Sequence, residues 1–317
     1  MKRVSIGGQA VLEGVMMKGP DSYALAVRKP DKEIEVKTTE YKSLGERYKV
    51  LTIPILRGVV NFIESLYIGM KTLMDSSEYM LEEEEGVKTD SQNIETNNKE
   101  SEKKSSGDTF YMVGTLIVTL AITIGIFMLL PAFIANFLHK VTDSEMVVNL
   151  AEGILRLLIF MGYVVCISFM KDIKRTFMYH GAEHKTINCM EAGDDLTVAN
   201  VQKHTRFHRR CGTSFVFIVM FISIAVFMFV KTDTLLLRLV SRILLVPVIA
   251  GISYEFIRYA GLHDNFISRF LSAPGLWVQR LTTKEPDDDM VEVAIRSVEG
   301  VVDWHEYTEC VRNNSFE

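Results

Sequence analysis

The sequence has little that would staple a small secreted fold. Its 317 residues include four cysteines, Cys166, Cys189, Cys211 and Cys310. They form no C-x-x-C pair and Cys166 falls within an apolar run, which argues against a disulfide framework and suits a reducing cytoplasm. The N-terminus lacks a signal-peptide core, because MKRVSIGGQAVLEGVMM puts Gly, Gln and Glu where an unbroken apolar run is needed. The first hundred residues are therefore expected to stay in the cytoplasm. An excess of one charge sign is missing too: the net charge of −5 mixes a very acidic stretch with basic loops, and no nucleic-acid partner is expected. Proline is scarce, with none between Pro131 and Pro247.

Apolar residues are abundant. They make up 48% of the chain and the mean hydropathy is slightly positive at +0.15, a membrane-protein composition diluted by polar segments. Residues 110 to 138 carry no charge and can cross a bilayer at 1.5 Å per residue. A second span over 146 to 170 holds Glu152 and Arg156 at pairing distance on one helix face. Residues 213 to 230 give a third, and 239 to 260, with Arg242, Pro247, Glu255 and Arg258, a fourth. The fold expected is mainly α, a polytopic membrane protein with about four transmembrane helices and a small α/β cytoplasmic portion. Lysines and arginines crowd the loop 171 to 212 and not the first connection, so that loop and both termini face the cytoplasm of a multi-pass cell-membrane protein.

That loop carries His180-Gly181-Ala182-Glu183-His184, an H-x-x-E-H string. On a helix the two histidines share a face one turn apart and can reach one metal ion, while Glu183 is placed as general base. This is the zinc-protease H-E-x-x-H logic in reverse order. Glu255, in the cytoplasmic half of the fourth span, is the expected third ligand, with His208 and Cys211 as alternatives. Glu191 is too far along the helix, about 10 Å from His184. Zinc suits the set best, and iron, manganese or nickel remain open.

The remaining chain divides by composition. Residues 1 to 81 form a cytoplasmic unit with a β-hairpin over 23 to 39 and an amphipathic helix over 54 to 80. Residues 82 to 108 read as a disordered linker, 109 to 260 as the transmembrane region, and 261 to 317 as a cytoplasmic C-terminal segment. In that segment a turn is expected at Pro274 and a helix over 289 to 299, whose Asp287 to Asp289 belong to the helix start. Gly7-Gly8-Gln9 carries no weight as a three-residue match to release factors. Glu13 is expected to pair with Arg57 or Lys18.

The strings GGQAVLEGVMM, HGAEHKTI, LTVANV, RCGTSF, GISYEFIR and PGLWVQRLTTKEPDDD together resemble the YqhQ-like family of bacterial membrane proteins. That family of unknown function is labelled as predicted metal-dependent enzymes. The resemblance spans nearly the whole chain outside the linker, and it implies that His180, Glu183, His184, Glu191, His208, Cys211 and Glu255 all lie in family-typical strings. Two functions follow as expectations. One is a membrane-embedded zinc hydrolase, most concretely a peptidase. The other is a non-enzymatic scaffold or regulator whose His cluster stabilises the fold. The partners expected are membrane lipid and a protein or peptide of unknown identity; metal transport is weaker, because the spans hold few unpaired acids besides Glu255.

Overall fold

The computed structural model describes residues 6–86, 106–231, 234–263 and 265–315. Residues 87–105, most of the expected linker, lie outside them. Four strands, β1 (Gly7–Val11), β2 (Gly14–Lys18), β3 (Ser22–Arg28) and β4 (Ile34–Glu40), form one antiparallel sheet in sequence order. The helices are α1 (Leu44–Arg47), α2 (Leu56–Gly86), α3 (Ser106–Ile124), α4 (Leu130–Asn136), α5 (Glu145–Ile167), α6 (Lys171–Ala192), α7 (Val198–Val201), α8 (Gly212–Phe227), α9 (Leu235–Leu262), α10 (Phe266–Thr282), α11 (Asp288–Glu299) and α12 (Trp304–Asn313).

β3 and β4 are the expected hairpin, and Lys32 takes φ +73° in its turn. β1 and β2 had no alternating pattern to announce them. For β2 the reason is burial on both faces: Val15 and Met17, with Ala26 of β3, pack against α6 and α11, while Met16, with Tyr23, Leu25 and Val27 of β3, packs towards Ile68 of α2; β1 is only partly buried before Val11 and opens on two glycines. A strand covered on both sides reads as a continuous apolar run, as VMM and YALAV do. β1 and β2 meet at Leu12-Glu13, where Glu13 has φ +49°. Glu13 accepts from the Arg175 guanidinium and the Tyr179 hydroxyl of α6, not from Arg57 or Lys18.

Among the described residues, three helical stretches are long and apolar enough to cross a membrane: Ile117–Lys140, Glu145–Ile167 and Leu236–Gly261. The first is α3 and α4 joined through a π-turn at Gly125–Leu129. The third expected span is shorter than its apolar run, because α8 has 16 residues, about 24 Å of rise against a hydrocarbon core of about 30 Å. Glu152 is buried against Arg242 of α9 and bonds Arg156 at 2.8 Å. The Arg156 Nε also donates to the Phe127 carbonyl, within the π-turn, at 3.1 Å.

The C-terminal segment differs from expectation at Pro274, which lies inside α10 and makes no turn. α11 begins one residue before the expected 289, with Asp287 at its N-cap and Asp288 and Asp289 in its first turn. These acids stabilise the helix start electrostatically. α6 and α11 cover one face of the sheet and α2 the other, while the membrane-type helices pack beside them.

Candidate metal centre

The H-x-x-E-H string is the middle of α6, and its small residues explain its packing. A Cβ on Gly181 would fall 2.0 Å from the Lys284 carbonyl oxygen, so only glycine lets the segment after α10 cross the helix here. That crossing brings the Thr282 carbonyl to His180 Nδ1 at 2.9 Å. The polar residues further along α6 bind the loop after α7. His184 Nδ1 donates to the Arg206 carbonyl at 2.6 Å, Lys185 to the Gln202 carbonyl at 2.9 Å, and Asn188 to the Thr205 carbonyl at 2.7 Å. The loop then turns into α8, delivering Cys211 at the helix N-cap.

His180, His184 and Cys211 come together, with one ligand atom from each lying within 4.8 Å of the others. A carbonyl can only accept, so Nδ1 carries the proton in both neutral imidazoles and each Nε2 is left as a lone-pair donor. His180 Nε2 is 3.1 Å from the Cys211 sulfur. His184 Nε2 is buried without a hydrogen-bond partner, and so is Glu183 Oε2. Buried polar atoms in native folds normally have partners, so two unpartnered ones on adjacent residues mark a place for something else. Glu183 Oε2 is 4.0 Å from His180 Nε2.

The electrostatics point the same way. Burial penalises a charged His180, but the Cys211 sulfur, Glu183 and the Thr282 carbonyl outweigh it and raise its pKa to about 9. Burial likewise penalises the Cys211 thiolate, yet His180 and His184 overcome this and hold the thiol well below its usual range. Burial also lowers the pKa of His208. Metal-free, the two groups therefore form an imidazolium–thiolate pair, and a metal bound there would displace the His180 proton and take the place of its positive charge beside the thiolate.

The expected residues divide. His180, Glu183, His184 and Cys211 are together, and the His208 ring stands 5.6 Å from that of His184. His208 Nε2 faces Glu191 at 3.6 Å, and Glu191 is paired with Arg210. Glu255, expected as the third ligand, is not brought to the pair. The Arg57 guanidinium takes both its oxygens, with Nε bonded to Oε1 at 2.6 Å. Cys211 stands in its place.

A cavity of about 570 Å³ opens onto the cluster, lined by His180, Glu183, His208, Cys211, β1, and Ser65 and Ile68 of α2. Gly8 of β1 is part of the site. A Cβ there would lie 2.9 Å from the Glu183 carboxyl carbon and 2.8 Å from the Met16 carbonyl oxygen. The strand therefore passes against Glu183 only because residue 8 has no side chain. Sequence reasoning set Gly7-Gly8-Gln9 aside; a glycine in a run of strand-forming residues was the available signal. Gln279 was also missed. Fully buried, it accepts from His208 N–H at 2.8 Å and donates to the His208 carbonyl at 2.7 Å and Ser214 Oγ at 3.0 Å, fixing the turn into α8.

Fold and site define a mainly helical protein with membrane-type helices, a small antiparallel sheet and a buried His/His/Cys cluster. The chain belongs to the family described as "Protein of unknown function (DUF1385)", whose profile matches residues 53–304. It is 40% identical over 295 residues, covering 92% of this chain and 90% of the other, to "Uncharacterized protein YqhQ" of Bacillus subtilis (strain 168). No solved structure matches it.

Proposed function

We propose that this chain is a membrane-bound, metal-dependent hydrolase, acting on a peptide bond at the inner face of the cell membrane. His180 and His184 would hold zinc through Nε2, and Cys211 through its thiolate. The observation that carries this reading is the pair of buried, unpartnered acceptor atoms, His184 Nε2 and Glu183 Oε2, in the cluster with the Cys211 sulfur, of which Glu183 and Cys211 line the cavity. A thiolate with two imidazoles is a zinc-type donor set that leaves a coordination position free. Zinc bound there would polarise a carbonyl and acidify water.

The protein's own groups do the rest. Thr282 and Arg206 fix both imidazoles in one tautomer by accepting from Nδ1. Glu183, with Oε2 free of hydrogen bonds, takes the proton from the attacking water and returns it to the leaving amine. The cavity walls of β1 and α2 hold the substrate and shed water. In the bilayer we assign four crossings, with α8 extended by the apolar Met228 to Val230, and both termini in the cytoplasm. The basic residues of the loop before α8 support that orientation.

Elemental analysis of the detergent-purified protein beside a His180→Ala/His184→Ala variant tests the centre. About one zinc per chain, lost in the variant, is expected; a metal-free native protein would sink it. Glu183→Gln should keep the metal and lose roughly 100-fold or more in hydrolysis. A fully functional, metal-loaded Glu183→Gln protein would instead make the cluster a structural one in a scaffold.

A further inference from the structure

α10 has a face that nothing among the described residues covers. Phe266, Ile267, Phe270 and Trp277 are 83%, 56%, 69% and 57% exposed, and at 100° per residue they fall on one side of the helix. Ser268, Ser272, Val278, Gln279 and Thr282, on the opposite side, are buried. There Gly275 approaches α8 so closely that a Cβ would lie 2.5 Å from Ser214 Cβ. Asn265 caps the helix and donates to the Tyr259 hydroxyl of α9 at 2.9 Å. α10 therefore lies across the N-terminal end of α8 and the C-terminal end of α9.

The occupant of the free face follows from this placement. α10 follows α9 directly in the chain and is tied to its C-terminal end by Asn265 and Tyr259, and α9 is a helix long enough to cross a bilayer. The stripe includes a tryptophan, the residue most at home between acyl chains and headgroups. Arg269 and Arg280 lie at its border, both exposed, where guanidinium groups reach anionic headgroups while their stems cover apolar surface. We propose that α10 is a membrane-surface helix, lying in the plane of the bilayer with its Phe/Trp face in the headgroup–acyl boundary. Its buried side carries the Thr282 carbonyl that holds His180 and the Gln279 amide that holds His208, so the same helix sets the depth of the metal centre. This placement rests on the membrane reading above and is independent of whether the centre hydrolyses anything.

Trp277 is its own probe, because the chain has only one other tryptophan, Trp304. Full-length Trp304→Phe protein would be reconstituted into phosphatidylcholine/phosphatidylglycerol vesicles carrying lipid brominated near the glycerol, at mid-chain or at the chain end. The difference in emission between the native protein and Trp277→Phe gives the same readout should Trp304→Phe fold poorly. Shallow bromines are expected to remove roughly half or more of the Trp277 emission, and chain-end bromines much less. Three results would overturn the assignment: unquenched red emission, from a residue in water; unquenched blue emission, from a face covered by another protein copy; or strongest quenching by chain-end bromines, from a helix crossing the bilayer. Protein that does not float with the vesicles would sink the membrane placement itself.

Discussion

Cys211 separates the structural reading of the centre from the one the sequence favours. Burial disfavours its thiolate, but His180 and His184 outweigh this and hold the thiol well below its usual range, so after chelation its reactivity is expected to depend on pH less than an ordinary thiol's. Alkylation of Cys211 by iodoacetamide should then be nearly flat over roughly pH 7 to 9, where an ordinary thiol gains about tenfold per unit below its pKa. Cys189 is a control within the same chain, because burial, with Asp194 and Asp195 nearby, pushes its pKa up to about 12. It should stay unmodified in the folded protein. Added zinc should protect Cys211, and protection should survive Glu255→Gln, since Glu255 is engaged by Arg57. Quantitative mass spectrometry of the alkylated peptides reads all three. A Cys211 rate that climbs with pH like an ordinary thiol, or one that zinc does not slow, would remove Cys211 from the ligand set, and loss of protection in Glu255→Gln would return Glu255 to it.

Among the elements, α2 and α9 meet with almost nothing between their backbones. A Cβ on Gly58 would fall 2.9 Å from Gly251 Cα, and one on Gly251 would fall 2.6 Å from the Ile55 carbonyl oxygen. Close crossing through small residues is how helices pack in membranes, and here it is clamped by Arg57 with Glu255 and by Asn61 donating to the Tyr254 hydroxyl at 2.9 Å. Gly251→Leu forces the helices apart. It should cost about 1–3 kcal/mol or more, read as a lower thermal midpoint in detergent, while Gly114→Leu, with open space around it, should leave the midpoint unchanged. How legible each element was follows from its surroundings. The β3–β4 hairpin, α11 and the His pair were readable because turn residues, helix-start acids and i,i+4 spacing are local signals. β1 and β2 were not: β2 is covered by α2, α6 and α11, which lie far away in sequence, with no marked turn beside it like that of β3–β4, and β1 opens on two glycines and is only partly buried. Pro274 suggested a turn by its local habit, yet the helix runs through it. Glu255 faced the right end of the bundle, but no local pattern announces that Arg57, 198 residues away, claims it.

At the scale of the whole molecule, two bodies of different chemistry share one centre. The sheet with α2, α6 and α11 is a two-faced layer with an ordinary apolar core, whereas the apolar helices expose most of their surface. What fixes the helices to each other cannot be burial from water alone, since lipid tails are as apolar as leucine. Polar ties supply the register instead. Glu152 is 1% and Arg242 3% exposed, joining α5 to α9, and Arg156 extends the tie to the π-turn carbonyl of Phe127. Near the α5–α9 ends, Arg238 meets the half-exposed Glu145 at 3.2 Å. The two ties should differ sharply in worth. Glu152→Gln leaves the buried Arg242 and the partly buried Arg156 without their counter-ion and should destabilise by about 3–5 kcal/mol, whereas Glu145→Gln should cost no more than about 1 kcal/mol. Paired denaturation curves in mild detergent measure both, and equal effects would mean that the buried triad does not set the helix register. Because α9 also carries Glu255 and hands the chain to α10, a loosened α5–α9 pair should reach the metal centre. Glu152→Gln protein is therefore expected to bind zinc with lower affinity although no ligand has changed, an outcome that competition with a chromogenic chelator would read directly.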